Sequence, residues 1–133
     1  MKAYLGRRYR LSASHRLHTP ALSEAENQAV YGKCANPHGH GHNYTLEVLV
    51  GGAVDEVTGM VCDLVELDGC VSREVLEPFD HQNLNTLDAF RNHVPTTENL
   101  CREIERRLRK ALRTELSLRV RVEETSNNFF ECS

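Results

Sequence analysis

The fold is decided by one stretch, His40-Gly41-His42-Asn43-Tyr44-Thr45-Leu46-Glu47-Val48-Leu49-Val50-Gly51. Apolar side chains recur at every second position from Tyr44 to Val50, a pattern typical of a strand with one buried face. His40 and His42 continue that face beyond Tyr44. Two imidazoles on the apolar face of a strand end need partners, so the stretch predicts a polar or metal-binding site at the edge of the core.

Two other predicted strands end in the same way. Residues 3–17 alternate with Tyr9, Leu11 and Ala13 on one face, and His15 continues that face. Residues 116–124 alternate likewise, and Glu124 continues their apolar face. Three strand ends therefore carry ionisable groups on their apolar faces, where they need partners that a metal ion or a polar ligand would supply.

The remaining elements are predicted from periodicity and capping signals. Residues 129–132 predict a short final strand, and residues 60–63 can form the second arm of a hairpin. Helices are expected at residues 23–30, which start with a capping box, at 64–77, and from a Thr97 cap to residue 113. This order predicts an α+β fold, an antiparallel four-stranded sheet with two main helices on one face, in a single domain of residues 1–133.

Composition excludes several classes of protein. The 133 residues carry a net charge of -3, so the overall field favours neither nucleic acid nor an anionic membrane. Apolar runs are only strand-length, which excludes a membrane-spanning helix. Five cysteines, an odd number, without an apolar leader at the N-terminus predict free thiols in a reducing, cytoplasmic compartment.

The histidines predict a metal site. His-x-His in an extended chain directs both imidazoles to one side, and Gly39 and Gly41 let the backbone bend toward an ion. Together with His15, the pair His40 and His42 leaves a fourth tetrahedral position open, the usual plan of a catalytic zinc site. We therefore predict one Zn²⁺ ion bound by these three histidines.

The run His38-Gly39-His40-Gly41-His42 contains a second pair with the same spacing, His38 and His40. Strand parity favours the pair His40 and His42, because His42 lies next to the strand whose face matches. His38 is then a spare histidine outside the metal site.

Two roles stay open for Cys34, which lies six residues before His40. As a fourth zinc ligand it would close the site and make it structural, whereas as a free thiol it would act as a nucleophile or base. Asp80-His81 is a pair that can activate a thiol, since the carboxylate orients the imidazole and the imidazole holds the thiolate. A surface turn is the alternative interpretation of that dipeptide.

Seven segments, in family order and covering nearly the whole chain, resemble the 6-pyruvoyltetrahydropterin synthase family. They are residues 12–17, 32–37, 39–44, 58–61, 76–84, 95–99 and 124–128. The family also contains the 6-carboxytetrahydropterin synthases of queuosine biosynthesis. The resemblance implies an α+β fold in which three subunits join their sheets into a barrel. Two such trimers stack as a homohexamer, with active sites between subunits.

The resemblance also implies roles for individual residues. The zinc ligands are the three histidines already predicted, and Cys34 is the catalytic base, with Asp80 and His81 completing its proton relay. Glu124 would anchor the guanidine-like edge of a pterin. Three further residues would line the same pocket: Thr96, Thr97 and Glu98. Arg16 and Lys33 are candidates, by position, for binding phosphates.

The implied activity is that of a lyase of tetrahydrobiopterin biosynthesis. It converts 7,8-dihydroneopterin triphosphate to 6-pyruvoyl-tetrahydropterin and eliminates triphosphate. The carboxy branch acts on the same substrate and releases acetaldehyde as well. Cys34 lies four residues before His38, the spacing of the carboxy branch, and six residues before His40, the spacing of the pyruvoyl branch. Strand parity and the Asn43-Tyr44 pair favour the pyruvoyl branch. A structural zinc module and a pterin-binding protein without catalysis are the non-enzymatic alternatives.

Overall fold

The computed structural model describes all 133 residues and has an α+β architecture. Five strands form one sheet in the order β3-β1-β2-β4-β5. Their bounds are β1 Lys2–His15, β2 His40–Ala53, β3 Gln82–Asn83, β4 Ser117–Thr125 and β5 Asn128–Cys132. The long strands β1 and β2 pair antiparallel along their whole length, and β4 and β5 extend the antiparallel part of the sheet.

The prediction of a four-stranded antiparallel sheet is wrong in one respect. β3 pairs parallel with β1, opposite Ala13 and Ser14, so the sheet has five strands and is mixed. A two-residue strand has no detectable period, and its existence depends on β1 lying beside it. The hairpin arm predicted at residues 60–63 is also wrong, because the turn after β2 leads directly to an N-cap at Asp63.

The helices follow the prediction closely. α1, Glu24–Tyr31, starts with the predicted capping box. α2, Leu64–Val71, continues through a π turn, Ser72–Leu76, into the short helix α3, Glu77–Phe79. The helical path continues past Pro78, which has no N–H to donate to the Glu74 carbonyl four residues earlier. That carbonyl instead accepts a hydrogen bond from the Arg107 side chain at 3.4 Å.

The long helix α4, Thr97–Ala111, is capped by Thr96 and not by Thr97. The Thr96 hydroxyl accepts a hydrogen bond from the Asn99 N–H at 3.1 Å. Either threonine satisfies the capping rule, so the sequence alone did not separate them. The one-residue difference frees the Thr97 side chain to point elsewhere.

The hydrophobic core lies between one face of the sheet and the helices α2 and α4. Strand residues such as Leu46 and Val122 face each other across β2 and β4, and Leu100, Ile104 and Leu108 of α4 pack on that side. The neighbouring strand positions carry Arg8, Glu47 and Arg121 on the opposite face. None of the helices has the length and apolar character needed to cross a membrane.

The central position of Leu46 makes it a test of this core. Leu46 has 0% exposure, so Leu46→Ala leaves a cavity and should lower the free energy of unfolding by about 2–5 kcal/mol. Urea denaturation followed by circular dichroism measures the change. Val57→Ala, at a 95% exposed position, is the control and should stay within about 0.5 kcal/mol of wild type. Equal effects of the two variants would contradict this description of the core.

Candidate metal and catalytic site

Strand register brings the first two histidines of the site together. β1 and β2 pair so that His15, the last residue of β1, lies opposite His40, the first residue of β2. Gly39 makes this start of β2 possible: its φ is 69°, and a Cβ there would lie 2.9 Å from the His15 carbonyl oxygen. Gly41 has no such constraint, since an added Cβ would meet only ordinary contacts. Of the two glycines, only Gly39 is required by geometry.

The orientation of His15 suits a metal ligand. Its Nδ1 donates a hydrogen bond to the Pro95 carbonyl oxygen at 2.8 Å, which leaves the lone pair on Nε2. That Nε2 lies 3.2 Å from His40 Nε2. Two nitrogens bound to one tetrahedral zinc ion lie about 3.3 Å apart. The pair therefore has the separation that a shared ion requires.

His42 completes the group. Ligand nitrogens of His15, His40 and His42 all lie within 4.8 Å of one another, close enough to hold one metal ion. His42 Nε2 lies 3.1 Å from a Glu124 carboxylate oxygen but is poorly aligned with it, so this buried nitrogen has no hydrogen-bond partner. A buried nitrogen without a partner is costly unless it binds something, and a metal ion would satisfy it.

The site favours neutral imidazoles. Burial lowers the pKa of His15, although the hydrogen bond to Pro95 opposes this shift. Burial also lowers the pKa of His42. Because metal ions bind the unprotonated imidazole, both shifts favour the ligating form near neutral pH. Three imidazole donors are a ligand set that zinc accepts in catalytic sites.

Glu124 lies beside the histidines because of an irregularity in β4. The pairing of β4 with β5 shifts register between Glu123 and Thr125, so Glu124 sits at a bulge, a feature that redirects side chains. The Thr97 hydroxyl donates a hydrogen bond to the Glu124 carboxylate. Thr96 caps α4 and Glu98 is exposed at its first turn, so Thr97 alone of the three predicted pocket residues hydrogen-bonds to Glu124.

Cys34 lies on a 3₁₀ turn, Gly32–Ala35, outside the cluster of close ligand atoms. This position does not support a role as fourth metal ligand. The thiol lines an open cleft of about 640 Å³ together with Lys33, Asn36 and His40. Burial raises the pKa of the Cys34 thiol, and the negative charge of Glu124 adds to the effect.

Within one chain, Asp80 and His81 do not meet Cys34. They are paired, with His81 Nδ1 3.1 Å from an Asp80 carboxylate oxygen, but His81 lines a different cleft beside Ser12 and Asn43. No hydrogen bond or ion pair joins either residue to Cys34. His81 also has a left-handed backbone, with φ of 60°, the single non-glycine residue in that region. Such an outlier draws attention to a functional role.

Comparison with known proteins identifies the family. A family model described as 6-pyruvoyl tetrahydropterin synthase matches residues 4–133. The chain belongs to the 6-pyruvoyl tetrahydropterin synthase family. The resemblance stated from the sequence is therefore confirmed.

Family members resemble the chain in sequence and in fold. The 6-pyruvoyl tetrahydrobiopterin synthase of Poecilia reticulata is 47% identical over 126 residues, covering 94% of this chain and 86% of the relative. The structure of Caenorhabditis elegans 6-pyruvoyl tetrahydropterin synthase superimposes with a TM-score of 0.94 at 38% identity, covering 99% of this chain and 95% of the other. A putative 6-carboxy-5,6,7,8-tetrahydropterin synthase of Archaeoglobus fulgidus is 37% identical over 112 residues, covering 84% and 88%.

Some residues around the histidine cluster were not found from the sequence. The Pro95 carbonyl orients His15 across 80 residues of chain, and the Asn85 side chain binds the backbone next to His15. Every residue has a backbone carbonyl, so the sequence does not show which one binds a histidine. An asparagine that closely follows Asp80-His81-Gln82-Asn83 is typical of a turn. Both contacts become visible only when the strands are assembled.

Metal binding tests the assignment of the histidines. We expect one Zn²⁺ ion per chain, and His40→Ala should lower the affinity at least about 100-fold, since even supporting residues of zinc sites carry effects of that size. Metal analysis and zinc titration measure both quantities. His38→Ala is the matched control, because His38 is exposed and outside the cluster. Loss of zinc in His38→Ala with retention in His42→Ala would reverse the assignment.

Proposed function

We propose that the chain is a zinc-dependent lyase that converts 7,8-dihydroneopterin triphosphate to 6-pyruvoyl-tetrahydropterin with elimination of triphosphate. The observation that carries this proposal is the three-histidine cluster next to the cleft that holds Cys34. His40 belongs to both, so a substrate in the cleft would lie beside a metal ion held by the three histidines. The names of the relatives, 6-pyruvoyl tetrahydrobiopterin synthases, support the pyruvoyl product.

The chemistry requires proton removal from the side chain of the substrate. A zinc ion on the three histidines would supply Lewis-acid polarisation of the side-chain hydroxyls and so acidify the adjacent C–H. Cys34 removes that proton as the thiolate. Because burial raises the pKa of Cys34 in the single chain, the thiol needs a nearby positive charge or base to act near neutral pH.

Asp80 and His81 are suited to that task from a neighbouring subunit. One Asp80 carboxylate oxygen accepts the Ser12 N–H at 2.8 Å, and the other orients the His81 imidazole. The imidazole itself is 80% exposed, so it is free to enter another chain's cleft. We propose that His81 of one subunit faces Cys34 of the next in a homo-oligomer, with the stacked trimers of the family as the expected form.

The substrate groups find complementary residues around the metal cluster. Glu124 keeps acceptor capacity beyond its hydrogen bond with Thr97, which suits the N–H groups of a pterin ring. Lys33 lines the Cys34 cleft and can meet the triphosphate. Arg16 is a weaker candidate for the triphosphate, because its Nε donates to the Ala35 carbonyl at 3.1 Å.

The second candidate function is that of a 6-carboxy-5,6,7,8-tetrahydropterin synthase. The similarity to the Archaeoglobus fulgidus relative favours it, as does the spacing of Cys34 to His38. Both candidates use the same site and substrate, but only the carboxy branch also releases acetaldehyde. Incubation of the zinc-loaded protein with dihydroneopterin triphosphate, followed by mass spectrometry, separates a pyruvoyl product from a carboxy product with acetaldehyde.

Replacement of the thiol tests the assigned base. Cys34→Ala should lower kcat about 10²–10⁴-fold, the usual contribution of a general base. Zinc content should be unchanged, because Cys34 lies outside the metal cluster. Steady-state kinetics with metal analysis measures both. Full turnover by Cys34→Ala would refute the role, and Cys62→Ala, at a buried position in the core, is the control for loss of a thiol as such.

A mixing experiment tests the shared site. Cys34→Ala and His81→Ala homo-oligomers should each be nearly inactive, whereas subunits mixed after dissociation should recover up to about a quarter of the wild-type rate. Recovery arises because some interfaces combine an intact Cys34 with an intact His81 from the neighbour. A mixture no more active than its components would show that both groups act within one chain.

A further inference from the structure

The Asn85 side chain binds both backbone groups of Arg16. Its Oδ1 accepts the Arg16 N–H at 2.7 Å, and its Nδ2 donates to the Arg16 carbonyl at 2.9 Å. A carboxamide used in this way replaces the peptide group of a neighbouring strand. It continues the parallel pairing of β3 with β1 one step past the end of β3. The Asn85 N–H donates to the Asn83 side chain at 3.1 Å, which fixes the turn that carries it.

Arg16 and the next residue, Leu17, hold the turn that carries Cys34. The Leu17 N–H donates to the Cys34 carbonyl at 2.7 Å. The Arg16 Nε donates to the carbonyl of Ala35, which is 1% exposed. Since Arg16 follows His15 directly, these bonds set the distance between the thiol and the metal ligands.

We propose that Asn85 is a positioning residue for Cys34, an inference that rests on the proposed function. The side chain of Asn85 clamps Arg16, and Arg16 and Leu17 hold the Cys34 turn beside the three histidines. A base displaced by about 1 Å loses about 100-fold in rate, so a clamp of this kind acts on kcat. Asn85 itself is exposed and touches neither the thiol nor the metal cluster.

The same segment also carries the Asp80-His81 pair. Asp80 binds the Ser12 N–H, and the His81 N–H donates to the Ser12 carbonyl at 2.6 Å. Residues 80–85 are therefore attached at both ends, by Asp80 to Ser12 in β1 and by Asn85 to Arg16, the residue that follows β1. One end orients the imidazole of the relay, and the other end orients the thiol.

Three variants test the clamp. Asn85→Ala should lower kcat about 10- to 100-fold with KM changed less than about twofold, because the thiol is misplaced while the pterin contacts remain. Asn85→Asp keeps the acceptor for the Arg16 N–H and loses the donor, so it should recover part of kcat. Thr86→Ala is the matched control, because its hydroxyl donates to the Asn83 carbonyl in the same turn without touching Arg16. It should retain kcat within about twofold.

Two further measurements read the geometry directly. In Asn85→Ala, amide hydrogen exchange at Leu17 should accelerate, and the rate of Cys34 alkylation by iodoacetamide should change, while zinc content stays at the wild-type value. Equal loss of kcat in Asn85→Ala and Thr86→Ala, or an effect on KM alone, would overturn the clamp. If wild-type protein has no turnover, the proposed function fails, and Leu17 exchange and Cys34 alkylation decide on the clamp alone. If Leu17 exchange and Cys34 alkylation in Asn85→Ala both keep their wild-type rates, the clamp is overturned.

Discussion

Fourteen residue pairs hold β1 against β2, and the last of them sets His15 against His40. Most of what surrounds the site depends on this register. A slip by one residue would turn His15 to the other face of the sheet and move the apolar side chains of β1 out of the core. Burial of Leu11, Tyr44 and Leu46 on the same face therefore fixes the positions of His15 and His40 as well as the core. Gly39 makes the register reachable, since it lets the chain enter β2 directly beneath the His15 carbonyl.

The polar groups of the site lie where the core ends, and their environment prepares them for binding. His15 is 1% exposed and is oriented by the Pro95 carbonyl, so its free nitrogen has one direction to face. His42 has a buried nitrogen that no protein group satisfies. Burial keeps both imidazoles in the neutral form that metal ions bind. Glu124, redirected by the bulge in β4, adds a carboxylate at the same place.

The two parts of the proposed proton relay face different ways in one chain. Cys34 opens into the cleft next to His40, whereas His81 opens onto the side of the sheet that carries Ser12 and Asn43. Both are nevertheless hydrogen-bonded to the chain within a few residues of His15, Cys34 through Leu17 and His81 through Ser12. Small shifts of this segment would therefore move the three histidines, the Cys34 thiol and the His81 imidazole together.

The local sequence pattern was enough to predict the long strands, the helices and the grouping of His15, His40 and His42. It also predicted that Glu124 continues the apolar face of its strand. The reason is that side-chain parity in a strand is a property of adjacent residues, so an ionisable group that continues an apolar face is visible without the fold. Pattern could not reveal β3, the Thr96 cap, the Pro95 carbonyl or the Asn85 clamp. Some of those features join residues as far as 80 positions apart. They are made by backbone groups or short polar side chains, which can form hydrogen bonds in many different local structures. Only the assembled sheet decides which partner each of these groups binds, because the backbone groups at the end of β1 meet Pro95 and Asn85 only in the folded chain.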